Sequence, residues 1–451
     1  MNLGFLRNRW FKFSLWGGLY LIWVIWLGNY WWLLLLPVIF DIYVTKKVRW
    51  AFWRKRAGKD GKAPKQSVFV EWVDALVFAL VAAVFIRTFF FEAYVIPSSS
   101  MEKSLMVGDY LFVSKIKYGP RVPMTPISFP LVHNVMPIVG GESYSTIIEN
   151  DYRRLKGFRG VRRDDIVVFG FPHGDTVLTG APSDDYYMRV RLNGRENTIK
   201  MFGPVIVRPV DRKDNYVKRC VAVAGDSLSV VNGDVYVNGQ KQPDFEGIQS
   251  SYTVYTNGTA INQKFFSDNG MNLGEIYYDA TLPGYHELAL TKKELEMVKV
   301  MGNVVEIRPN IDVYPPDFPD SPLVLFPFSS DFKWTRDNYG PIWIPQAGKT
   351  VKLDISNLPL YSRIITAYEG NTLSVKGEEI FINGTKQDTY TFKQNYYFMM
   401  GDNRHNSADS RYWGFVPEDH IVGTPSMVWF STDKYKSFPK NIRWKRLFKF
   451  V

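Results

Sequence analysis

An apolar run that ends in a proline and three serines constrains this chain more than any other feature of its sequence. The run covers residues 75–91 with Arg87 as its one charge, and the sequence YVIPSSSM follows at residues 94–101. A proline stops a helix and biases the residue before it towards extended backbone. A membrane-spanning helix here would therefore deliver the serines to a bend near the bilayer surface. Serine clusters alone are typical of solvated loops, so a chemical role for the bend depends on residues elsewhere.

Residues 1–45 contain an earlier apolar segment. Residues 13–44 are apolar apart from Asn29 and Asp41, and these 32 residues exceed the roughly 20 that one helical span requires. The sequence GNYWW at residues 28–32 combines a turn signal with aromatic residues typical of a membrane interface. We therefore predict a transmembrane hairpin of two short spans, and a single tilted span is the alternative.

Positive charge is concentrated beside these apolar segments. Residues 1–67 hold twelve Lys and Arg residues against Asp41 and Asp60, so they carry ten of the eleven net positive charges of the chain. The positive-inside rule places both ends of the hairpin and a basic linker at residues 46–67 in the cytoplasm. Because the remainder is nearly neutral, it lacks the basic surface that nucleic-acid binding requires, and we expect no nucleic-acid partner.

Residues 68–91 predict a further transmembrane helix that runs outwards. Glu71 and Asp74 precede its uncharged centre and Arg87 lies near its end. The two acids can lie at the inner interface while the arginine extends to the outer one. An amphipathic helix on the membrane surface is the alternative. If residues 68–91 span the membrane, residues 92–451 form an extracytoplasmic domain that begins with the serine bend.

The extracytoplasmic residues predict a mainly β domain. Short β-rich runs separated by Gly, Asp and Asn turns occur at residues 110–115, 165–169, 205–207, 217–223, 227–231 and 235–237. The capping box TKKE at residues 291–294 predicts one helix, through about Met301. The single cysteine, Cys220, forms no internal disulfide, and the five histidines lack metal-ligand spacing, so we predict no metal and no cofactor.

One internal repeat is present. Residues 216–242 align without gaps on residues 361–387, with ten of 27 positions identical and Asn-Gly in both copies. Asn-Gly after alternating apolar residues is typical of a β-hairpin turn, so we predict a strand–hairpin unit that occurs twice. Between the copies, about residues 243–345 look like a mixed α/β insertion.

Three short stretches resemble the sequence boxes of bacterial type I signal peptidases. They are PSSSM at residues 97–101, NYVKRCVAVAGD at 215–226 and MGDNRHNSADSRYWGFVP at 400–417, and RDDIVVF at 163–169 resembles a further box. These peptidases, of the S26 family, are membrane-anchored Ser-Lys proteases that remove signal peptides from exported preproteins. The resemblance covers the last span and residues 92–130, 160–240 and 361–425. The hairpin and the insertion lie outside it.

The residue types are consistent with that chemistry. A serine hydroxyl is a weak nucleophile and needs a base. A lysine can serve if it is neutral near pH 7, which requires burial because its ordinary pKa is near 10.4. Lys218 lies within an apolar strand that could bury it, although a solvated strand lysine is the alternative without the other boxes.

The resemblance implies a role for each matching residue. Ser100 matches the nucleophile and Lys218 the general base. Ser98 matches a hydroxyl that completes the oxyanion hole with the Ser100 N–H, and Ser407 matches the serine that orients the lysine. The matching supporting residues are Asp402, Asp409 and Arg411. Shallow substrate pockets that select small side chains would be lined by Ile96, Pro97, Met101, Leu105, Tyr216 and Val217.

The resemblance also implies a location and partners. We expect a multi-pass protein of the bacterial inner (cytoplasmic) membrane with its catalytic domain on the periplasmic side. The expected partners are signal peptides of secretory preproteins, the lipid bilayer and the secretion machinery. An extended substrate would pair with an exposed strand edge at residues 94–97.

Three positions depart from the family pattern. Lys103-Ser104 replaces a Pro-Thr pair, and His405 stands where an acid is common. Two other hypotheses follow from the residues. One is a catalytically silent binding protein that keeps the β fold, and the other is a serine hydrolase that uses His405 as its base.

Overall fold

The computed structural model describes residues 8–48, 50, 66–271, 276–278, 282, 284–315, 323–434 and 436–451. Within these residues the α-helices are α1 (Arg9–Leu27), α2 (Leu36–Phe40), α3 (Val68–Phe89), α4 (Tyr186–Asn193), α5 (Arg195–Phe202), α6 (Gln263–Asp268), α7 (Lys292–Lys299), α8 (Leu358–Arg363) and α9 (Ser410–Trp413). The strands are β1 (Phe91–Val95), β2 (Asp109–Ser114), β3 (Ile166–Gly170), β4 (Thr176–Leu178), β5 (Val205–Val207), β6 (Asn215–Ala222), β7 (Ser227–Val231), β8 (Asp234–Val237), β9 (Gln240–Lys241), β10 (Gln249–Thr256), β11 (Ile276–Tyr278), β12 (Tyr285–Thr291), β13 (Val304–Pro309), β14 (Tyr339–Trp343), β15 (Thr350–Lys352), β16 (Leu373–Lys376), β17 (Glu379–Ile382), β18 (Thr385–Lys386), β19 (Thr389–Thr391), β20 (Tyr396–Met400), β21 (Val416–Pro417), β22 (Ile421–Ser431) and β23 (Lys449–Phe450).

Two of the described helices, α1 and α3, are long and apolar enough to cross a membrane. The Asn8 side chain caps the first turn of α1, and the helix ends at Gly28 with a positive φ of 62°. Residues 30–45 then form a 3-10 turn, α2 and a π-turn that contact α1. The hairpin therefore has a helical return limb that is shorter than α1, and the number of spans stays a prediction. Most of the predicted linker, residues 49 and 51–65, lies outside the described residues.

The helix α3 leads almost directly into the main sheet. Ser67 caps its first turn, and Arg87 in its last turn complements the negative end of the helix dipole. The same arginine forms an ion pair with Glu92 of β1 at 2.7 Å, and Lys115 contacts this carboxylate at 2.8 Å. Because Glu92 is buried between two cations, the cluster fixes the path of the chain from helix to strand.

The fold is mainly β, as predicted. The main sheet has the antiparallel strand order β1-β2-β22-β3-β6-β20-β21, with β23 paired to β22. Among the residues that the structure describes, β1 lies at one end of this order, so one of its edges has no strand partner there. At the centre, β6 pairs with β3 on one side and with β20 on the other. The sheet therefore places a free edge on β1 and holds β6 in its interior.

The predicted insertion contains a separate α/β unit at residues 249–309. Its sheet has the order β11-β12-β10-β13, and α6 and α7 pack on it around an apolar core that includes Val254, Phe266 and Leu288. The capping box at Thr291 is present and starts α7, as predicted. In contrast, β14 pairs with β7, so residues 339–343 pack with the hairpin that precedes the insertion.

The repeat is confirmed in its hairpins and wrong in the strand before them. The hairpins β7–β8–β9 and β16–β17–β18 share their register, since Leu228 pairs with Val237 and Leu373 with Ile382. The Asn-Gly turns also match, with φ of 52° and 53° at the two asparagines. Upstream, however, the first copy forms β6 whereas the second forms α8, which has a proline in its first turn. The strand that carries Lys218 therefore occurs once.

We predict that the insertion has its own hydrophobic core, and that one cavity-forming substitution in this core destabilises it. Leu288 is 1% exposed, and Leu288→Ala should destabilise the unit by about 2–5 kcal/mol because it removes buried methyl groups and leaves a cavity. Val305, on the same sheet, is 71% exposed, and Val305→Ala should change stability by less than about 0.5 kcal/mol. Amide hydrogen exchange over residues 249–309 measures both effects. Equal protection in the two variants would contradict a separate core.

Candidate active site

The serine bend forms a tight turn between β1 and β2. Its apolar residues Met101 and Leu105 are fully buried, and the Leu105 N–H donates to the Met101 carbonyl at 2.7 Å. They pack with Ile96 in the cluster beneath the sheet edge. Ser100 is half-buried within this turn. The turn is therefore anchored in the core on both sides of the serine hydroxyl.

Lys218 reaches this serine from the central strand β6. Its Nζ lies 2.5 Å from Ser100 Oγ, although the two residues are 118 positions apart in the chain. Lys218 is 4% exposed, and its strand neighbour across the ladder is Val167. The sheet therefore brings together the two residues that the sequence identified as nucleophile and base.

Burial changes the protonation of this lysine. Desolvation lowers the pKa of Lys218 to about 8, against the opposing effects of Asp409 and Asp402, while the positive charge of Arg411 lowers it further. The hydrogen bond that the structure describes at Nζ goes to a neutral hydroxyl rather than to a carboxylate. A substantial neutral fraction near pH 7–8 therefore becomes accessible, which is what a general base requires.

Two buried ion pairs flank the serine and the lysine. Asp409 and Arg411 form a bidentate pair at 2.8 and 2.9 Å, and both are almost completely buried. Burial alone would raise the pKa of Asp409, but the Arg411 guanidinium lowers it below its ordinary value. Asp402 forms a second bidentate pair with Arg219 at 2.6 and 2.8 Å. Each carboxylate thus has its own guanidinium.

The loop after β20 is hydrogen-bonded to the serine turn. The Asn403 N–H donates to the Ser100 carbonyl at 3.1 Å, and the Ser104 hydroxyl donates to Asp402 at 2.5 Å. A Cβ placed on Gly401 would lie 2.6 Å from the Ser100 carbonyl oxygen and 2.2 Å from Ser407 Oγ. The sequence did not single out Gly401, Asn403 or Ser104 for these contacts, since the contacts between the loop and the serine turn join segments about 300 residues apart.

Ser407 and Ser98 are the other two serines to which the family resemblance gives a role, and both lie near Ser100. Ser407 is buried, and the hydrogen bond that the structure describes from its hydroxyl goes to the Ala408 carbonyl at 3.4 Å. Its orienting role towards Lys218 stays a prediction. Ser98 is exposed at the mouth of the adjoining cleft, and its oxyanion role likewise stays a prediction.

A cleft of about 490 Å³ opens between β1 and β6 at the serine. Its lining includes Ser100, Lys218 and most of the residues that the sequence placed there, namely Ile96, Pro97, Met101, Tyr216 and Val217. Leu105, which the sequence placed in the same wall, is fully buried and packs in the core with Met101. Tyr216 is held by stacking on Phe171, with ring centroids 4.6 Å apart. The cleft is thus largely apolar, and ring stacking holds Tyr216 in place on its β6 side.

The ring nitrogens of His405 contact residues outside the serine turn. Its Nε2 lies 3.0 Å from Asp337 Oδ2, and its Nδ1 accepts a hydrogen bond from the Ser251 N–H at 3.2 Å. Both ring nitrogens are therefore occupied by groups other than Ser100, which argues against this histidine as the base. Within the described ranges, no group of three or more His, Cys, Asp or Glu side chains is arranged to hold a metal ion.

A mainly β domain preceded by apolar helices, with a serine hydroxyl against a buried amine, is the arrangement of a serine endopeptidase. The family model for signal peptidase, peptidase S26, matches residues 69–274 and 349–430, which is more than half of the chain. The chain therefore belongs to the signal peptidase family, peptidase S26. The matched residues include β1, β6 and the loop after β20.

Curated relatives named Signal peptidase I support this membership. The protein of Buchnera aphidicola (subsp. Acyrthosiphon pisum) is 25% identical over 391 residues, which cover 86% of this chain and 83% of the relative. The protein of Helicobacter pylori (strain 26695) is 25% identical over 392 residues, which cover 84% and 91%. The protein of Haemophilus influenzae is 24% identical over 382 residues, which cover 84% and 74%.

We predict that Gly401→Ala lowers activity about a hundredfold. The new Cβ would push the backbone carbonyl of Ser100, and a shift of about 1 Å at a reacting group can cost that factor. Gly160→Ala is the matched control, because a Cβ at Gly160 meets nothing within 4 Å. Peptidase assays on the two purified variants measure the effect. Activity of Gly401→Ala equal to that of the control would show that the loop does not hold the serine.

Proposed function

We propose that this protein is a membrane-bound signal peptidase that uses Ser100 as its nucleophile and Lys218 as its general base. The 2.5 Å contact between Lys218 Nζ and Ser100 Oγ carries the proposal, together with the burial that lowers the pKa of this lysine to about 8. Membership of the signal peptidase family supports signal-peptide cleavage as the reaction. The substrates would be exported preproteins.

The proposed reaction has two steps. Ser100 Oγ attacks the scissile carbonyl carbon while neutral Lys218 takes the hydroxyl proton, and the tetrahedral intermediate collapses to an ester when the peptide C–N bond breaks. The protonated lysine gives its proton to the leaving amine. Water then attacks the ester with Lys218 again as base, and Ser100 regains its proton as the signal peptide leaves. The Ser100 N–H and the Ser98 hydroxyl would stabilise the oxyanion in both steps.

The buried ion pairs support this chemistry indirectly. Asp402 is paired with Arg219, and Asp409 with Arg411, so neither carboxylate forms a close ion pair with Lys218. We infer that these pairs, and the Ser407 beside them, hold the loop of residues 401–409 against the serine turn. Their loss would act on the geometry of the nucleophile rather than on a reacting atom.

The substrate would bind as an added strand. The free edge of β1 offers unpaired backbone groups to an extended peptide, and the cleft continues this edge past Pro97 to Ser100. Pro97, Tyr216 and Val217 form its apolar walls. We infer that these walls form shallow apolar pockets, which would favour small residues such as Ala before the cleaved bond.

The membrane arrangement follows from α1 and α3. With the basic residues 46–67 inside, α3 would run outwards and place the main sheet on the periplasmic side of the inner membrane. Ser100 lies only eleven residues after Phe89, the last residue of α3, so cleavage would occur near the outer surface. Exposed apolar side chains at Phe129, Ile138 and Ile147 would face the lipid. Contact with the secretion machinery remains part of the proposal.

We predict that Ser100→Ala and Lys218→Met each abolish cleavage of a purified preprotein by the detergent-solubilised protein. Wild type should release a product whose new N-terminus follows a small residue. Lys213→Met is the matched control, since Lys213 is also 4% exposed with a pKa lowered to about 8, yet its Nζ contacts His420 Nε2 at 2.8 Å. Folded control protein should remain active.

The outcomes of this experiment separate the three hypotheses. A wild type that is inert on several preproteins would favour a silent binding protein. Cleavage by Lys218→Met would show that the base is elsewhere, and His405→Ala would be the next variant. Loss of activity in Lys213→Met as well would show only that buried lysines maintain the fold.

We predict that kcat/KM rises with pH, is half-maximal near pH 8 and levels off above it. The reactive form of Lys218 is the neutral amine, so activity is lost as the pH falls through its pKa of about 8 and the amine gains a proton. Initial rates between pH 6 and 9 measure this profile. A flat profile over that range would contradict the assignment of Lys218 as the base.

A further inference from the structure

The insertion contacts the candidate active site directly. Its first strand, β10, begins at Gln249, whose N–H donates to the Asp402 carbonyl at 2.8 Å and whose carbonyl accepts from the Arg404 N–H at 2.9 Å. Gly247, just before this strand, packs against Ser104 of the serine turn. The α/β unit is therefore connected to both segments that surround Ser100.

Lys103 forms the most specific of these contacts. It stands three residues after Ser100, and its Nζ lies 2.6 Å from Glu294 Oε1 and donates to the Gly270 carbonyl at 2.7 Å. Both side chains are mostly buried, at 16% and 8% exposure. Partial burial reduces the solvent screening that makes exposed ion pairs weak, so this pair can hold the turn to the insertion.

Glu294 is itself fixed by the helix that it starts. Its second carboxylate oxygen, Oε2, accepts hydrogen bonds from the Thr291 N–H and hydroxyl, both at 2.9 Å, in the capping box of α7. The helix is anchored in the insertion core by Val298, which is fully buried. One carboxylate therefore joins a rigid helix end to the serine turn.

The backbone at Lys103 shows that the turn is held in an uncommon conformation. Its φ is 69°, in the left-handed region that residues other than glycine enter at a cost. Such a conformation persists where surrounding contacts impose it. The contacts of the Lys103 side chain with Glu294 and Gly270 supply that constraint directly after the nucleophile.

We propose that the insertion positions the nucleophile, with Lys103 and Glu294 as positioning residues that fix the turn carrying Ser100. The proposal rests on the assignment of Ser100 and Lys218 made above. It gives a role to the Lys103 position, where the chain departs from the family pattern, and to the α/β unit, of which the family model matches residues 249–274 but not the helix α7 that carries Glu294. Without the contact, the Ser100–Lys218 pair would loosen and water would reach the amine.

Glu294→Gln removes the ion pair with Lys103 but keeps the cap at the start of α7. Glutamine at this position of a capping box keeps the hydrogen bonds to Thr291, because its side-chain oxygen still accepts them, but it removes the charge that Lys103 binds. Lys103→Met removes the other partner at similar length, and Lys103→Arg keeps the charge. The exposed pair of Lys292 with Asp244 involves the same helix and not the serine turn, so Lys292→Met is the control.

The expected result is a coupled loss of activity in the full-length, detergent-solubilised protein. Lys103→Met and Glu294→Gln should each lower kcat/KM about tenfold, and the double variant should lose about tenfold rather than about a hundredfold, since both changes break one contact. Lys103→Arg should stay within about threefold of wild type, and Lys292→Met within about twofold.

The pH profile distinguishes positioning from other effects. If water reaches the amine, the pH at which activity levels off should rise in both single variants, because desolvation is what lowers the pKa of Lys218. A purely electrostatic effect would raise it in Lys103→Met and lower it in Glu294→Gln. The charged groups that act on Lys218, namely Asp409, Asp402 and Arg411, are unchanged in every variant. Global destabilisation would lower the rate without moving the profile.

Three results would overturn the proposal. They are wild-type kcat/KM in Lys103→Met and Glu294→Gln, multiplicative losses in the double variant, and pH profiles that move in opposite directions. Ser100→Ala in the same assay tests the underlying assignment separately. If Ser100→Ala is active, the proposed dyad fails, and if it is inactive while Lys103→Met equals wild type, only the positioning role fails.

Discussion

The burial of one lysine amine beside a serine hydroxyl is the constraint on which the rest of the structure depends. An ammonium group in an apolar strand is unstable unless it finds a carboxylate or gives up its proton. Lys218 contacts Ser100 instead of a carboxylate, so its pKa falls to about 8. Lys218 is 4% exposed, so little water reaches this amine.

Neighbouring arginines make that low pKa compatible with the two carboxylates near Lys218. Asp402 and Asp409 both act on Lys218, and either carboxylate, if unpaired, would favour its protonated form. Each is instead bound in bidentate fashion by its own arginine, Arg219 or Arg411. Pairs of this kind add little net stability because desolvation offsets their attraction. Their value here is that they leave the lysine as the group that titrates near neutral pH.

The sequence was sufficient to predict features that depend on neighbouring residues or on a long sequence motif. The capping box at Thr291 and the Asn-Gly hairpins were both predicted from neighbouring residues. The family resemblance implied Asp409 and Arg411 as supporting residues, and the two form an ion pair. The sequence was insufficient where a contact joins distant segments, as for Gly401 beneath the Ser100 carbonyl or Lys103 against Glu294. The repeat prediction was wrong upstream of the second hairpin for a different reason. Local residues, including a proline in the first turn, start α8 there, and the alignment of the two copies did not take this signal into account.

The topology of the sheet explains why the insertion lies where it can act on the site. The strands β6 and β20 on either side of the insertion are adjacent in the sheet, with Arg219 paired to Met400. The strand that carries Lys218 and the loop after β20 are therefore neighbours, whatever the length of chain between them. Closing a longer loop between adjacent strands costs little additional entropy, so an insertion is tolerated at this point. An added unit there is also forced to emerge beside the serine turn. The contact of Lys103 with Glu294 then adds to the backbone hydrogen bonds of Gln249 in joining the insertion to the site.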